Sequence, residues 1–195
     1  MQNKFEEIFS KYDTDKVNGS YEYAYERCFG KIREDIQLIF EIGVNRGGSM
    51  RAWKEYFPNA QIVGLEINGN CFFEEERIHI EIGNATNPEF IDTVLHKHGW
   101  PDIVIDDGSH MSKDIKDSHE LLHMYTQLCY VIEDLGVQSM DVQNGFYIND
   151  GVPATSVVQQ EAENIMLYSN SGKSVHIYHG ICFLFNKPMK GDQYV

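Results

Sequence analysis

The sequence predicts an α/β domain built on a doubly wound, mostly parallel sheet whose last strand is antiparallel. Short apolar runs of β-forming residues alternate with segments of helical hydrophobic spacing through residue 134. The run over residues 103–105 is entirely apolar and β-branched, which is typical of a strand buried on both faces. At 195 residues the chain suits one domain over 1–195, with a helical segment over 1–36 and the sheet over 37–195.

The elements follow in a regular order. Apolar residues at helical spacing predict a first helix over 3–12, and a cluster of aromatic residues predicts a second helix near 21–29. Predicted strands then cover residues 37–43, 61–67, 78–82, 103–105 and 128–132, with helical segments between the earlier ones. A last helix over Thr155–Tyr168 precedes two final strands, over 175–179 and 181–185.

The charge balance excludes several classes of partner. Sixteen basic residues stand against 30 acidic ones, which gives a net charge of −14. Nucleic acids and anionic lipid surfaces are bound by basic patches, so we expect neither as a partner.

The four cysteines show no metal-binding or disulfide spacing. The polar N-terminus and the lack of a long apolar run predict a cytoplasmic protein without a membrane span.

A glycine-rich turn follows the first predicted strand. The strand ends in Glu41 and Gly43, and residues 44–49 lead into the next helical segment. Glycines at such a turn let the backbone approach a ligand, and the helix start offers free N–H groups. The turn is not the G-x-G-x-x-G dinucleotide fingerprint. Glu66 ends the next strand, where an acidic side chain can accept ribose hydroxyls, and Asn84 after the third strand is placed to contact an adenine edge.

Carboxylates and one imidazole follow the fourth and fifth predicted strands. Asp107 and His110 come after the fourth, and Glu133 and Asp134 come directly after the fifth. The carboxyl ends of neighbouring parallel strands meet at one edge of the sheet, so these side chains should converge. Three carboxylates in one place repel one another unless protons or a cation neutralise them. The other seven histidines form no comparable cluster in the sequence.

These motifs resemble those of a known family. Glu41-Ile-Gly-x-x-x-Gly-Gly-Ser49, Glu66 and the antiparallel finish resemble the Rossmann-like fold of class I S-adenosylmethionine-dependent methyltransferases. Asp106-Asp-Gly-Ser-His110 followed by Val131-Ile-Glu-Asp134 resembles, more specifically, the metal-dependent sugar O-methyltransferases of macrolide pathways. That branch also includes the cephalosporin hydroxylase-like proteins, and Thr14-Asp15-Lys16 resembles its N-terminal segment.

The resemblance implies a set of site residues. It implies that Mg²⁺ (or Mn²⁺) is bound by Asp107, Glu133 and Asp134, that Asp107 also contributes to catalysis, and that His110 is the general base. The residues implied to bind S-adenosylmethionine are Glu41, Gly43, Asn45, Arg46, Gly47, Ser49, Glu66, Ile67, Asn84, Ala85 and Asp106. Asp106 has two open roles, to hold the turn or to contact the amine end of the cofactor.

The resulting hypothesis is a methyltransferase that acts on a hydroxyl of a free, nucleotide-linked or glycan-terminal sugar. Two alternatives stay open: a methyltransferase of a catechol or another small diol, and a cofactor-binding module without catalysis. A homo-oligomer is also compatible with the sequence. Residues 135–152 are polar and rich in glycine, and we expect them to form a loop that covers the acceptor, with Phe146 and Tyr147 against a sugar face.

Overall fold

A computed structural model of the chain describes residues 3–17, 21–136, 151–168 and 172–188. Within those ranges, seven strands form one sheet in the order β3-β2-β1-β4-β5-β7-β6. The strands are β1 (Leu38–Ile42), β2 (Gln61–Glu66), β3 (Ile78–Ile82), β4 (Ile103–Asp106), β5 (Cys129–Ile132), β6 (Ser174–Tyr178) and β7 (Ile181–Phe185). All seven lie where the sequence predicts strands.

The predicted fold class is confirmed. Strands β1 to β5 pair in parallel, and β7 runs antiparallel to both β5 and β6. The strand order reverses between β1 and β4, because β2 and β3 extend the sheet on one side of β1 and β4 and β5 extend it on the other. A crevice opens at such a reversal, and ligands bind there at the carboxyl ends of the strands.

The described part of the chain contains six α-helices, two before the first strand and four between strands. They are α1 (Lys4–Phe9), α2 (Tyr21–Phe29), α3 (Gly48–Tyr56), α4 (Pro88–His98), α5 (Ser112–Leu122) and α6 (Thr155–Tyr168). The predicted first helix is too long at its C-terminal end, since α1 ends at Phe9. Helix α5 was not located from the sequence, whereas α6 has the predicted bounds.

The two faces of the sheet carry separate hydrophobic cores. Side chains alternate along the central strands, so that Ile39 of β1 packs with α1 to α3 and Phe40 packs with α4 to α6. Aromatic rings fill the first core. The Phe5 ring lies 3.8 Å from the ring of Phe9 and 4.9 Å from that of Tyr25, and it meets Trp53 edge-on. This stack fixes the N-terminal helices against the sheet.

Most of the predicted acceptor loop lies outside the described residues. Only residues 135–136 and 151–152 of the stretch 135–152 are described, so Phe146 and Tyr147 stay predictions. None of the described helices is both long and apolar enough to span a membrane.

We expect Phe5→Ala to lower the free energy of unfolding by about 3–5 kcal/mol, because it removes a fully buried ring from this stack. Phe72→Ala is the matched control, since that ring is 54% exposed. Denaturant unfolding of both variants measures the difference. Equal losses in the two variants would show that α1 contributes little to the core.

Candidate functional site

A cleft of about 880 Å³ lies at the carboxyl ends of the central strands. Most of the predicted site residues line it. They are Gly43, Asn45, Arg46, Ser49, Glu66, Ile67, Asn84, Ala85, Asp106, Asp107, His110 and Asp134. The structure therefore brings the residues of the glycine-rich turn, the β2 end and the acidic motifs into one cavity.

Three predicted site residues do not line the cleft: Glu41, Gly47 and Glu133. Glu41 is fully buried, and its carboxylate accepts hydrogen bonds from Trp53 Nε1 at 3.1 Å and from Ser49 Oγ at 2.9 Å. It therefore supports the turn from below and offers no oxygen to a ligand in the cleft. Burial raises the pKa of this carboxyl, against the opposing effect of a nearby lysine, Lys16.

At two positions of the glycine-rich turn only a glycine fits. Gly43 has φ of 91°, and a Cβ on it would lie 2.2 Å from the backbone oxygen of Asp107. At Gly48, the first residue of α3, a Cβ would lie 1.8 Å from the backbone oxygen of Asp13. The N-terminal loop thus crosses the start of α3 in direct contact with it. Both glycines permit close approach of two chain segments beside the cleft.

Glu66 holds the turn as well as facing the cleft. One of its oxygens accepts the N–H groups of Val44 and Asn45 at 2.9 and 3.2 Å, and the other accepts that of Asn68 at 2.8 Å. A carboxylate has about four acceptor positions, so one is left for a ligand. The predicted contact of Glu66 with a ribose stays a prediction.

Asp106 lies under the turn that follows β4. Its Oδ2 accepts hydrogen bonds from Ser118 Oγ at 2.5 Å and from Tyr130 OH at 3.0 Å, and the backbone N–H of Gly108 also donates to the carboxylate. Burial raises the pKa of Asp106 to about 6. Of its two open roles, these contacts support the one in which Asp106 holds the turn.

The most buried cation of the site is Lys16. Its side chain is 1% exposed, and its Nζ donates to Asp107 Oδ2 and Glu133 Oε2, each at 2.6 Å. Glu41 Oε1 lies 3.4 Å from the same nitrogen. Burial alone would lower the pKa of Lys16, but the three carboxylates together raise it well above its usual value. The ammonium therefore stays charged. No role for Lys16 follows from the sequence, because a lysine in a polar loop carries no signal of burial.

Glu133 is held by protein groups on both of its oxygens. Lys16 bonds one of them, and the hydroxyl of the buried Tyr25 donates a short hydrogen bond to the other. Burial raises the pKa of Glu133, and Lys16 acts in the opposite direction. Glu133 thus lies beneath the cleft, in contact with the N-terminal segment.

Asp107, His110 and Asp134 form the open part of the acidic cluster. Each offers one ligand atom, and the three atoms lie within 4.8 Å of one another. His110 Nε2 is 3.5 Å from Asp134 Oδ2, and the hydroxyl of Tyr21 donates to Asp134 Oδ1 at 2.8 Å. His110 and Asp134 both have positive φ, at 59° and 54°. Strained backbone of this kind collects at functional sites, and here it turns both side chains into the cleft.

The charge of the whole cluster leaves room for a further cation. Three carboxylates, those of Glu41, Asp107 and Glu133, surround the buried ammonium of Lys16, and Asp134 adds a fourth acidic group beside Asp107. One positive charge does not balance this set, and the acidic side chains of the set that line the cleft are Asp107 and Asp134. Oxygen ligands of this type suit a hard divalent cation.

Comparison with known proteins identifies the relatives of the chain. No family model matches the sequence. Mycinamicin VI 2''-O-methyltransferase of Micromonospora griseorubida is 36% identical over 140 residues, which cover 66% of this chain and 35% of that protein. Demethylmacrocin O-methyltransferase of Streptomyces fradiae is 29% identical over 208 residues, which cover 91% of this chain and 52% of that protein. The chain is a homologue of these sugar O-methyltransferases.

A solved structure supports the same relationship for this methyltransferase homologue. The MycE methyltransferase of the mycinamycin pathway, determined with Mg and S-adenosylhomocysteine, superposes with a TM-score of 0.80 at 27% identity. The match covers 98% of this chain and 56% of that one. The fold is that of the class I S-adenosylmethionine-dependent methyltransferases. The chain spans about half the length of the solved enzyme and between a third and about half of the two curated relatives.

We expect Lys16→Met to lower the free energy of unfolding by about 3–5 kcal/mol at neutral pH, because it leaves Glu41 and Glu133 buried without their cation. The loss should shrink in acid. Burial raises the pKa values of both carboxyls in the folded state above the unfolded value. Their contribution to the stability of the fold is therefore fully present below a pH of about 4.3, where they are protonated, and it is lost as the pH rises.

Denaturant unfolding at pH 7 and pH 4 measures both effects. Lys4→Met is the matched control, because Lys4 is also ion-paired but 40% exposed, and it should change little. A loss for Lys16→Met that is the same at both pH values would mean that lost packing, and not lost charge, destabilises the variant.

Proposed function

We propose that the chain carries an S-adenosylmethionine-dependent and divalent-metal-dependent O-methyltransferase that acts on a hydroxyl of a sugar. One observation carries the proposal: Asp107, His110 and Asp134 meet at the edge of a cleft that the glycine-rich turn also lines. This arrangement supports a metal ion held by oxygen ligands, with an imidazole as base, beside a candidate cofactor site. The sugar O-methyltransferases among the relatives, and the Mg and S-adenosylhomocysteine bound to MycE, support the assignment.

In this proposal the cofactor lies along the turn between β1 and α3. The open N–H groups at the start of α3 and the residues Asn45 to Ser49 face its methionine end, and Glu66 accepts a ribose hydroxyl. Asn84 and Ala85 line the cleft beyond Glu66, which suits the predicted contact with adenine. Burial of Glu41 limits its contribution to positioning Ser49.

Asp107 and Asp134 are the residues of this cluster best placed to hold a divalent cation. Their side chains are 24% and 34% exposed, whereas Glu133 is 2% exposed and engaged by Lys16 and Tyr25. The predicted third ligand, Glu133, would have to exchange one of these bonds for the metal. When bound, Mg²⁺ would orient a vicinal diol and make a hydroxyl more acidic, and S-adenosylmethionine would supply an activated methyl group.

His110 is the base in this scheme. Its ring borders Asp134 and opens on the cleft, so a hydroxyl beside Asp107 and Asp134 is within its reach. The imidazole would take the proton of that hydroxyl while the oxygen accepts the methyl group of S-adenosylmethionine. Lys16 takes no part in this transfer; it keeps Asp107 in place from below.

The proposal extends to the domain organisation, acceptor, partners and location of the protein. The chain acts as one domain, its acceptor is a small sugar or the sugar of a larger glycoside, and it binds no nucleic acid. A cytoplasmic location and a homo-oligomer are compatible with this proposed function. The acidic composition supports the expectation that no nucleic acid is bound. Among the described residues, the cleft is lined by carboxylates and has one arginine, Arg46, on its rim.

Removal of the metal tests the proposal directly. Methyl transfer from labelled S-adenosylmethionine to a panel of sugar glycosides should stop in EDTA and return with Mg²⁺ or Mn²⁺. Asp134→Asn should weaken Mn²⁺ binding, followed by paramagnetic resonance, because it replaces a charged ligand by a neutral amide. Asp92→Asn, on the exposed surface of α4, is the control. Full transfer after exhaustive chelation would contradict the metal's role.

His110→Ala separates the base from the metal. The variant should lower the transfer rate by roughly 10²–10⁴-fold, the usual contribution of a general base, while calorimetry finds cofactor affinity unchanged. His96→Ala, an exposed histidine on α4, should leave the rate as it is. Wild-type turnover in the His110 variant would assign activation of the hydroxyl to the metal alone.

A further inference from the structure

A second group of potential metal ligands lies outside the cleft, between α5 and α6. His119 of α5, His123 just after it and Glu161 of α6 each offer one ligand atom, and the three atoms lie within 4.8 Å of one another. The two imidazole rings stack with centroids 4.6 Å apart. None of the three lines the cleft. A smaller cavity between the helices, of about 270 Å³, is lined by His119 and Glu161.

The spacing of the two histidines suits a metal ion. Residues four apart lie on the same face of a helix, one turn above another, and paired histidines at this spacing bind zinc in many proteins. The third ligand comes from a different helix, as in sites that join two elements. This cluster is not predictable from the sequence, because the approach of Glu161 depends on how α6 packs.

His119 presents a nitrogen without a partner. Its Nε2 is buried and has no hydrogen bond, a state shared among the described side chains only with one oxygen of Glu22. The ring is wedged against Tyr130, whose ring meets it edge-on at 5.0 Å. Burial lowers the pKa of His119 to about 3, so the imidazole is neutral, which is the form that binds metals. An unpaired buried nitrogen is costly unless a ligand completes it.

His123 is oriented by Asn186. The amide nitrogen of Asn186 donates to the backbone oxygens of His123 and Thr126, at 3.3 and 2.8 Å, which fixes the direction of the amide. Its Oδ1 therefore faces His123 and accepts a hydrogen bond from Nε2 at 3.1 Å. The proton is thus on Nε2, and Nδ1 keeps its lone pair. Metal-binding histidines usually have their other nitrogen bonded in this way, which fixes the tautomer.

We propose that His119, His123 and Glu161 form a second metal site, selective for a borderline transition ion such as Zn²⁺, which joins α5 to α6. Two imidazoles and one carboxylate are a typical zinc donor set, with a fourth position open to water. The site differs in chemistry from the cleft, where two carboxylates suit a hard cation. The two sites can therefore be occupied by different metals.

The position of this site gives it a structural consequence. Near the cleft, α5 and the start of α6 are already joined, since Ala154 N–H donates to Ser112 Oγ at 3.2 Å and Lys116 Nζ to the backbone oxygen of Val152 at 3.1 Å. The second site lies about two helical turns further along both helices. A bound ion would fix the two helices to each other at a second point.

The test uses the His110→Ala protein, because that substitution weakens the cleft as a competing zinc site, with Mg²⁺ in excess to occupy what is left. Calorimetry should find one Zn²⁺ per chain, and Co²⁺ in its place should give the visible absorption of a four-coordinate nitrogen–oxygen site. Adding His123→Ala or Glu161→Gln should weaken binding by more than the roughly 10–100-fold that loss of a supporting hydrogen bond costs. Zn²⁺ should also raise the unfolding temperature.

Two controls make the result specific. Glu163→Gln replaces an exposed carboxylate on the same helix as Glu161, and His96→Ala removes an exposed histidine elsewhere; neither should affect Zn²⁺ binding. Glu161→Gln guards against misfolding, since Glu161 is only partly buried. The absence of Zn²⁺ binding in the His110→Ala protein would overturn the proposal, as would binding that Glu161→Gln and His123→Ala leave unchanged. Neither outcome bears on the proposed methyl transfer.

Discussion

The rest of the site depends on the ion pairs between the ammonium of Lys16 and the carboxylates around it. The ammonium joins the N-terminal loop to carboxylates at the ends of β1, β4 and β5, over sequence separations of 91 residues to Asp107 and 117 to Glu133. A buried charge is tolerated only when it is paired, and here each partner would be unstable without the others. The acidic edge of the sheet is therefore complete only when the N-terminal segment that carries Lys16 is docked. The aromatic stack around Phe5 supplies the apolar part of that docking.

The same arrangement divides the carboxylates into two functional groups. Glu41 and Glu133 are buried and engaged by protein groups, whereas Asp107, which Lys16 also bonds, and Asp134 line the cleft. Residues with positive φ are concentrated in the same part of the structure. Of the described non-glycine residues with positive φ, His110 and Asp134 belong to the acidic cluster and Asn45 to the glycine-rich turn, and only Arg77 lies elsewhere. Hydrogen bonds hold two of these residues in place: the N–H of Asn45 donates to Glu66, and that of Asp134 donates to the hydroxyl of Tyr21.

The strands could be predicted well and the polar contacts only in part. Buried parallel strands such as β4 are uninterrupted apolar runs, and the motifs at their ends identify the residues that converge, as for Asp107 and Asp134. Burial of a charged residue has no such periodicity. Neither the role of Lys16 nor the withdrawal of Glu41 and Glu133 from the cleft could be inferred, because each depends on contacts between distant segments.

Gly48 couples the N-terminal loop to the start of α3. With the backbone of Asp13 against it, no side chain fits at this position, although helix geometry alone would accept an alanine. The start of α3 and the N-terminal loop are consequently one steric unit. An exchange of this N-terminal loop for that of a relative would therefore have to include the glycine-rich turn, because the two segments fit together only as a pair.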